Sequence, residues 1–530
     1  MSSSGFRAEG KGDNPYIYVF AFVSGIALSF AFPGRDLSFL AWFAMIPFIT
    51  LLTDCSRKIA FKAGIIFGIP FFFGTQYWIY YSINHYGHMN IVLSFTVILL
   101  LCLYESLYTG IFAVLTNYIS EKSVLPLVLT APTIWICIEF ARGYIFTGFP
   151  WSFLGYSQYK LLPLIQIADI TGVYGVSFLI VAVNSVVADF IILKKRQKRI
   201  PLYPSVPAYT GAVVLIILIS LSFLYGYHHL NKSETGKKIK VAIIQGNIEQ
   251  DKKWDTQYQE SVFSTYISLT KKASTAKPDL IVWPETSAPF IFGLNKKYTE
   301  RLIDFQKYNK IPLLFGSIKV KSKKNGNYKL TNSAVLLNNN GKEVYTYDKI
   351  HLVPFGEYVP LKSLLFFVNK MVDGIGDYVP GNSFHSAKTA FGNFSTVICY
   401  ELIFPSLVRT FFLKGGDFLV TITNDAWFGN TIGPVQHFYT GVFRAIENRK
   451  PVIRAANSGI SGFINSRGRV IKKSELFKRE VLISEITKDS EITFYTKYGD
   501  IFAYLCIVTV ALIVVNLMFY PRSRFGGKKW

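Results

Sequence analysis

Cysteine is scarce in this chain, with five in 530 residues, and so are acidic side chains, 33 Asp and Glu against 56 Lys and Arg. Cys102, Cys137 and Cys506 lie inside apolar runs and Cys55 adjoins a basic loop, so none is placed to pair with Cys399. That excludes a disulfide framework. The deficit of acid leaves a formal net charge of +23, a balance that would suit a nucleic-acid binder. None of the modules that read nucleic acid occurs, however, and the densest basic runs flank apolar spans, so no nucleic-acid partner is expected. His351 and His437 have no partner at metal-ligand spacing, and neither a metal nor a cofactor is expected.

What the chain has in abundance is apolar surface. Hydrophobic residues make up 51%, aromatics 16% and charged residues only 17%, with a mean hydropathy of +0.31. This fits a polytopic membrane protein carrying a soluble domain. After a polar start, residues 15–32 are apolar enough to cross a hydrocarbon core of about 30 Å; more spans follow at once, so this is read as an uncleaved first helix and not a signal peptide. Further runs fall at 37–52, 60–81, 91–115, 125–140, 172–193, 209–227 and 501–520. The expectation is about eight spans, with 148–170 as an added interfacial or re-entrant piece. Arg57, Lys58, Lys62, the basic run 194–199 and the tail residues Arg522, Arg524, Lys528 and Lys529 place both termini in the cytoplasm. The resulting division is a membrane domain over 1–230, an outer domain over 237–490, a last span over 499–521 and a basic tail over 522–530.

The outer segment reads as α/β. Short β-branched runs recur at 239–244, 280–283, 312–318, 344–347, 396–400, 418–423, 451–455, 462–464 and 480–486, with helical stretches at 256–276 and 297–309. Three runs end in chemistry-bearing residues: Glu285 directly after Pro284, Lys349 with Glu357 following, and Cys399 with Glu401 beside it. Together they make an acyl-transfer set, since a thiolate is a strong nucleophile, a cation lowers its pKa and a partly buried carboxylate can hold the proton. Taken singly, Cys399 reads first as a packed core residue, and Glu285 and Lys349 as solvated charges or caps; only the combination points to chemistry.

The motifs Trp283-Pro-Glu285, Lys349-Ile-His-Leu-Val-Pro-Phe-Gly-Glu357, Cys399-Tyr-Glu401 and Asn424-Asp-Ala-Trp-Phe-Gly429 resemble the nitrilase (carbon-nitrogen hydrolase) superfamily with its Glu-Lys-Cys triad. Gln245-Gly-Asn247, Lys253-Trp254 and Thr147-Gly-Phe-Pro-Trp151 also match, and the layout of spans extends the likeness to the full length. The chain as a whole resembles the apolipoprotein N-acyltransferase family. That resemblance implies an αββα sandwich standing on a membrane α-helical bundle, on the periplasmic face of a bacterial cytoplasmic (inner) membrane. It implies Glu285 as general base, Lys349 as oxyanion stabiliser and Cys399 as nucleophile, supported by Glu357, Tyr400 and Glu401, with Trp254, Trp427 and Trp151 near the acyl or lipid path. The implied partners are a phospholipid acyl donor, a diacylglyceryl-modified apolipoprotein acceptor and the surrounding membrane lipids, with the protein a monomer. A thioester on Cys399 would carry the acyl chain between the two substrates.

Such an enzyme must exclude water, and the apolar stretch 361–378, with Gly374 and Gly376, reads either as a lid at the bilayer surface or as a core helix. Glu139 and Arg142, three apart on one helical face, and Glu105 are intramembrane charges that serve either function or helix orientation. Trp151 reads also as an interfacial anchor. The rival activities are a membrane-anchored nitrilase-type amidase and a transporter or scaffold with a degenerate outer domain.

Overall fold

The computed structural model describes residues 16–197, 206–324, 327–359 and 377–519. The expected lid therefore lies outside the described residues, apart from Asp377–Tyr378, as do the polar start and the basic tail. Among the described residues, five helices are long and apolar enough to cross a membrane: Arg57–Gln76, Ile91–Lys122, Val173–Lys195, Ala208–Asn231 and Ile501–Phe519. The last two leave Ile216, Leu224, Leu505 and Leu512 exposed, the outward apolar surface that lipid would cover. The expected count of eight is not reached by this measure. Residues 37–52 break into a 3-10 turn, Ser38–Trp42, and a short helix, Ile46–Leu52. The described first helix, Tyr16–Ser29, has 14 residues, about 21 Å at 1.5 Å per residue. Leu127–Tyr144 carries Glu139 and Arg142 in its C-terminal half.

Between Asn231 and Phe494 the chain builds two β-sheets. The strands are β1 (Lys238–Gln245), β2 (Leu280–Val282), β3 (Leu313–Lys324), β4 (Asn327–Leu337), β5 (Glu343–Asp348), β6 (Asp377–Tyr378), β7 (Phe394–Ile398), β8 (Phe418–Thr423), β9 (Val452–Ala456), β10 (Gly462–Ile464), β11 (Val470–Lys473) and β12 (Glu480–Thr487). One sheet runs β12-β1-β2-β3-β4-β5 with β6 beside β4, and the other runs β11-β10-β9-β8-β7. β1, β2 and β3 are parallel neighbours, as are β7, β8 and β9.

Period-two alternation makes these sheets two-faced. On β1, Ile239, Val241 and Ile243 join the core shared with Phe394, Val397 and Val420 of the other sheet. Ala242 and Ile244 point the opposite way, into a core with Val262, Phe263, Tyr266 and Leu302 of the helices Gln259–Ser274 and Lys296–Asn309. The second sheet is covered by Pro405–Leu413 and Gly433–Asn448, whose Val408, Phe411, Phe438 and Val442 belong to the shared core. The order of layers is α-β-β-α.

That second helical layer faces the membrane domain, and nearly every residue of Gly433–Asn448 is buried. Arg444 donates to Tyr156 (2.9 Å), Arg449 pairs with Asp169 (2.6 Å) and Tyr159 packs on Tyr439 at 4.0 Å between centroids. The piece at 148–170 forms the short turns Leu154–Gln158, Leu162–Ile165 and Ala168–Thr171 in this seam. Of the intramembrane charges, Arg142 pairs with Glu105 at 3.1 Å and also donates to the carbonyls of Phe149, Trp151 and Ser152; Glu139 accepts from Trp135 Nε1 and the Leu154 N–H. One expectation is corrected here. Trp151 is no interfacial anchor: it is buried, and its indole N–H donates to Gln436 Oε1 at 2.7 Å.

Candidate active site

The three strand ends converge at the carboxyl edges of the two sheets, where α/β proteins hold their chemistry because loops there are free to vary. After β2 the chain turns sharply, with Thr286 at φ +44°. Gly316 of β3 makes room for that turn, since a Cβ there would lie 2.6 Å from Glu285 Cα and 2.4 Å from Thr286 N. Lys349 follows β5, its N–H bound to the Asn332 carbonyl at 2.8 Å. Cys399 follows β7 at φ +54°, a left-handed conformation uncommon for a side-chain-bearing residue and a mark of functional turns.

Lys349 Nζ lies 2.9 Å from Glu357 Oε2 and 3.8 Å from Glu285 Oε1, and the lysine is 1% exposed. Burial pulls its ammonium down, but Glu357, Glu285 and Cys399 together outweigh that and raise its pKa above the ordinary value. It stays charged, with donors beyond the one bonded to Glu357. Asn332 on β4 donates to Glu285 Oε1 (2.7 Å) and to Glu357 Oε1 (3.0 Å), holding both carboxylates with one amide. The Val353 N–H closes on Glu357 Oε2 at 2.8 Å. The carboxylate tied to the lysine is thus Glu357, which leaves Glu285 the freer of the two.

The thiol is buried, and burial pushes Cys399 up to about 12, with Glu285 adding to the push and Lys349 opposing it. A resting thiol of this kind carries its proton and needs a base at the moment of attack. The turn that holds it is braced by Glu401, which accepts from the N–H groups of Ile350, His351 and Ile398 and from the Tyr347 hydroxyl at 2.7–3.0 Å. Glu401 therefore ties the cysteine turn to the lysine loop. Burial pushes its carboxyl up to about 7, against the pull of these donors.

Tyr400 is half-buried beside Phe149 of the membrane domain, rings 6.3 Å apart and 24° from parallel. Trp427 packs edge-on against Tyr86 at 4.9 Å, also across the seam, and Trp254 is half-buried at the end of the short helix Gln250–Lys253. Four residues gathered here are given no role in the site by the sequence. Asn332 sits in a strand not foreseen, where an amide amid alternating apolar residues was the available signal. His437, weighed only as a metal ligand, donates from Nε2 to the Cys399 carbonyl at 3.1 Å. Asp425 and Arg454 surround its Nδ1, at 3.0 Å each. Burial and Arg454 hold the His437 pKa below its ordinary value, so the ring is a neutral support.

An α-β-β-α sandwich with Glu, Lys and Cys gathered at its strand ends, set on apolar helices, defines a carbon-nitrogen hydrolase domain joined to a membrane domain. The sequence matches the carbon-nitrogen hydrolase family over residues 240–493 and the apolipoprotein N-acyltransferase N-terminal domain over residues 24–186. The apolipoprotein N-acyltransferase of Geobacter metallireducens is 42% identical over 96% of this chain and 96% of that protein. Those of Haemophilus influenzae and Wigglesworthia glossinidia brevipalpis are 32% and 33% identical, over 96% and 89% of this chain and 96% and 93% of theirs. The chain belongs to the apolipoprotein N-acyltransferase family.

Proposed function

We propose that this protein moves a fatty acyl chain from a phospholipid to the free N-terminal amine of an S-diacylglyceryl-cysteine lipoprotein. The observation that carries the reading is the single buried cluster of Glu285, Lys349, Glu357 and Cys399 beside an aromatic seam with the membrane domain. Glu285 takes the Cys399 proton, the sulfur attacks the ester carbonyl carbon, and the Lys349 ammonium holds the oxyanion. The C–O bond breaks, Glu285 returns the proton to the departing lysophospholipid, and a thioester remains. The acceptor amine then attacks that thioester, Glu285 receives its proton, and the C–S bond breaks to restore the thiol. Tyr400, Trp427, Trp254 and the Phe149 loop line the approach for the acyl chains, while Glu401 and Glu357 hold the turn and the lysine.

In this reading the protein acts as a monomer in the bacterial inner membrane, both termini cytoplasmic and the sandwich on the outer face. The family match and the apolar helices beside the sandwich support it. The test is to incubate purified protein with phospholipid and search the Cys399 peptide by mass spectrometry for a hydroxylamine-labile acyl adduct. Folded protein that forms no adduct overturns the mechanism.

A further inference from the structure

Lys253 is an ammonium that the mechanism above does not use, although it is 1% exposed and lies in the site. Its Nζ donates to the main-chain carbonyl of Glu285 at 2.9 Å. Burying an ammonium is costly unless an opposite charge faces it, and the standing anion facing this one is the Glu285 carboxylate. The charges of the cluster explain why it is there. Glu285 and Glu357 share the single ammonium of Lys349, which leaves one negative charge uncompensated between these two carboxylates, Glu401 being held by four donors of its own. Asp425, just after β8, is matched by Arg454 at 2.7 Å, so that pair adds no free charge, and His437 is neutral.

We infer that Lys253 is a positioning residue of this site, gripping the Glu285 carbonyl to fix the carboxylate beside the Cys399 thiol and supplying the cation that balances the second carboxylate. This deepens the proposed function and rests on Cys399 as nucleophile. Without that cation the cluster holds a net negative charge, so the thiol gives up its proton less readily. Burial pulls the Lys253 ammonium down to about 8. Its contribution is therefore present below about pH 8 and fades above it.

The test uses the full chain in detergent and the rate of iodoacetamide alkylation at Cys399, followed at the peptide level across pH 5.5–9.5. Lys253→Met is expected to move the acid limb up by about one unit, a roughly tenfold lower rate on that limb, with the two profiles converging above pH 8. Lys253→Arg keeps the charge and is expected to stay near the wild-type rate below pH 8. A Lys253→Met profile that superimposes on wild type, or a Lys253→Arg profile displaced as far as Lys253→Met, overturns the inference. Thermal melts establish that each variant is folded, and Lys253→Gln replaces Lys253→Met in the same assay if the latter does not fold. Because alkylation requires neither lipid nor lipoprotein, the result stands apart from whether the phospholipid adduct forms.

Discussion

The Cys399 thiol, held protonated by burial and Glu285, has its fate decided by what stands around it rather than by its own acidity. Cys399→Ala is expected to abolish the acyl adduct while leaving the melting temperature within a few degrees of wild type. Lys349→Met removes the cation aimed at the developing oxyanion, and acyl-adduct formation should fall by about 10²–10³-fold, the size measured for such donors elsewhere. His351, packed on Phe404 at 3.9 Å between centroids, shows the same physics working on stability. Burial and Lys349 pull its pKa from 6.5 down to about 4. Above pH 6.5 both folded and unfolded chains hold it neutral; between 6.5 and 4 only the unfolded chain takes the proton, so stability falls across that window by on the order of 2–3 kcal/mol. Melts at pH 7 and pH 4.5 should show a smaller acid loss for His351→Phe than for wild type.

At the scale of elements, strand ends and the turns after them set the distances. The Glu285 turn fits against β3 only because residue 316 has no side chain. Gly316→Ala is expected to displace Glu285 and cut adduct formation at least tenfold, and a retained wild-type rate would show that the turn yields at little cost. The Glu401 brace joins β7 to the loop after β5, and Glu401→Gln turns one acceptor oxygen into a donor facing N–H groups. Leaving such buried donors unmet costs about 1–3 kcal/mol each, so a melting temperature lowered by several degrees should accompany slower alkylation of Cys399.

For the molecule as a whole, the sandwich and the helices share one seam rather than a tether. Arg449 reaches from the end of Gly433–Asn448 to Asp169 and Gln166, all three buried. Removing one partner of a buried pair strands the other, at about 3–5 kcal/mol. Arg449→Met should therefore loosen the seam, seen as faster proteolysis at the domain junction and a broadened or split melt, whereas Asp169→Asn with Arg449→Met should recover part of the loss.

The sequence alone determined the division into apolar runs and an α/β segment, and it located Glu285, Lys349 and Cys399 at strand ends. These are local properties: a β-branched run followed by a polar residue is written in neighbouring positions. Which partners those residues meet is not local. Asn332 reaches Glu285 across 47 positions and Glu357 across 25, His437 reaches the Cys399 carbonyl across 38, and Arg142 chose Glu105, 37 away, over Glu139 at three. Helical spacing permitted the nearer pair, but the Arg142 guanidinium turns to Glu105 and to the carbonyls of Phe149, Trp151 and Ser152, while Glu139 Oε1 accepts from Trp135 and the Leu154 N–H. Only the packing of sheet on sheet and sandwich on bundle decided these pairings, because a buried charge needs an opposite charge or a donor beside it, and those partners arrive from elements far apart in the chain.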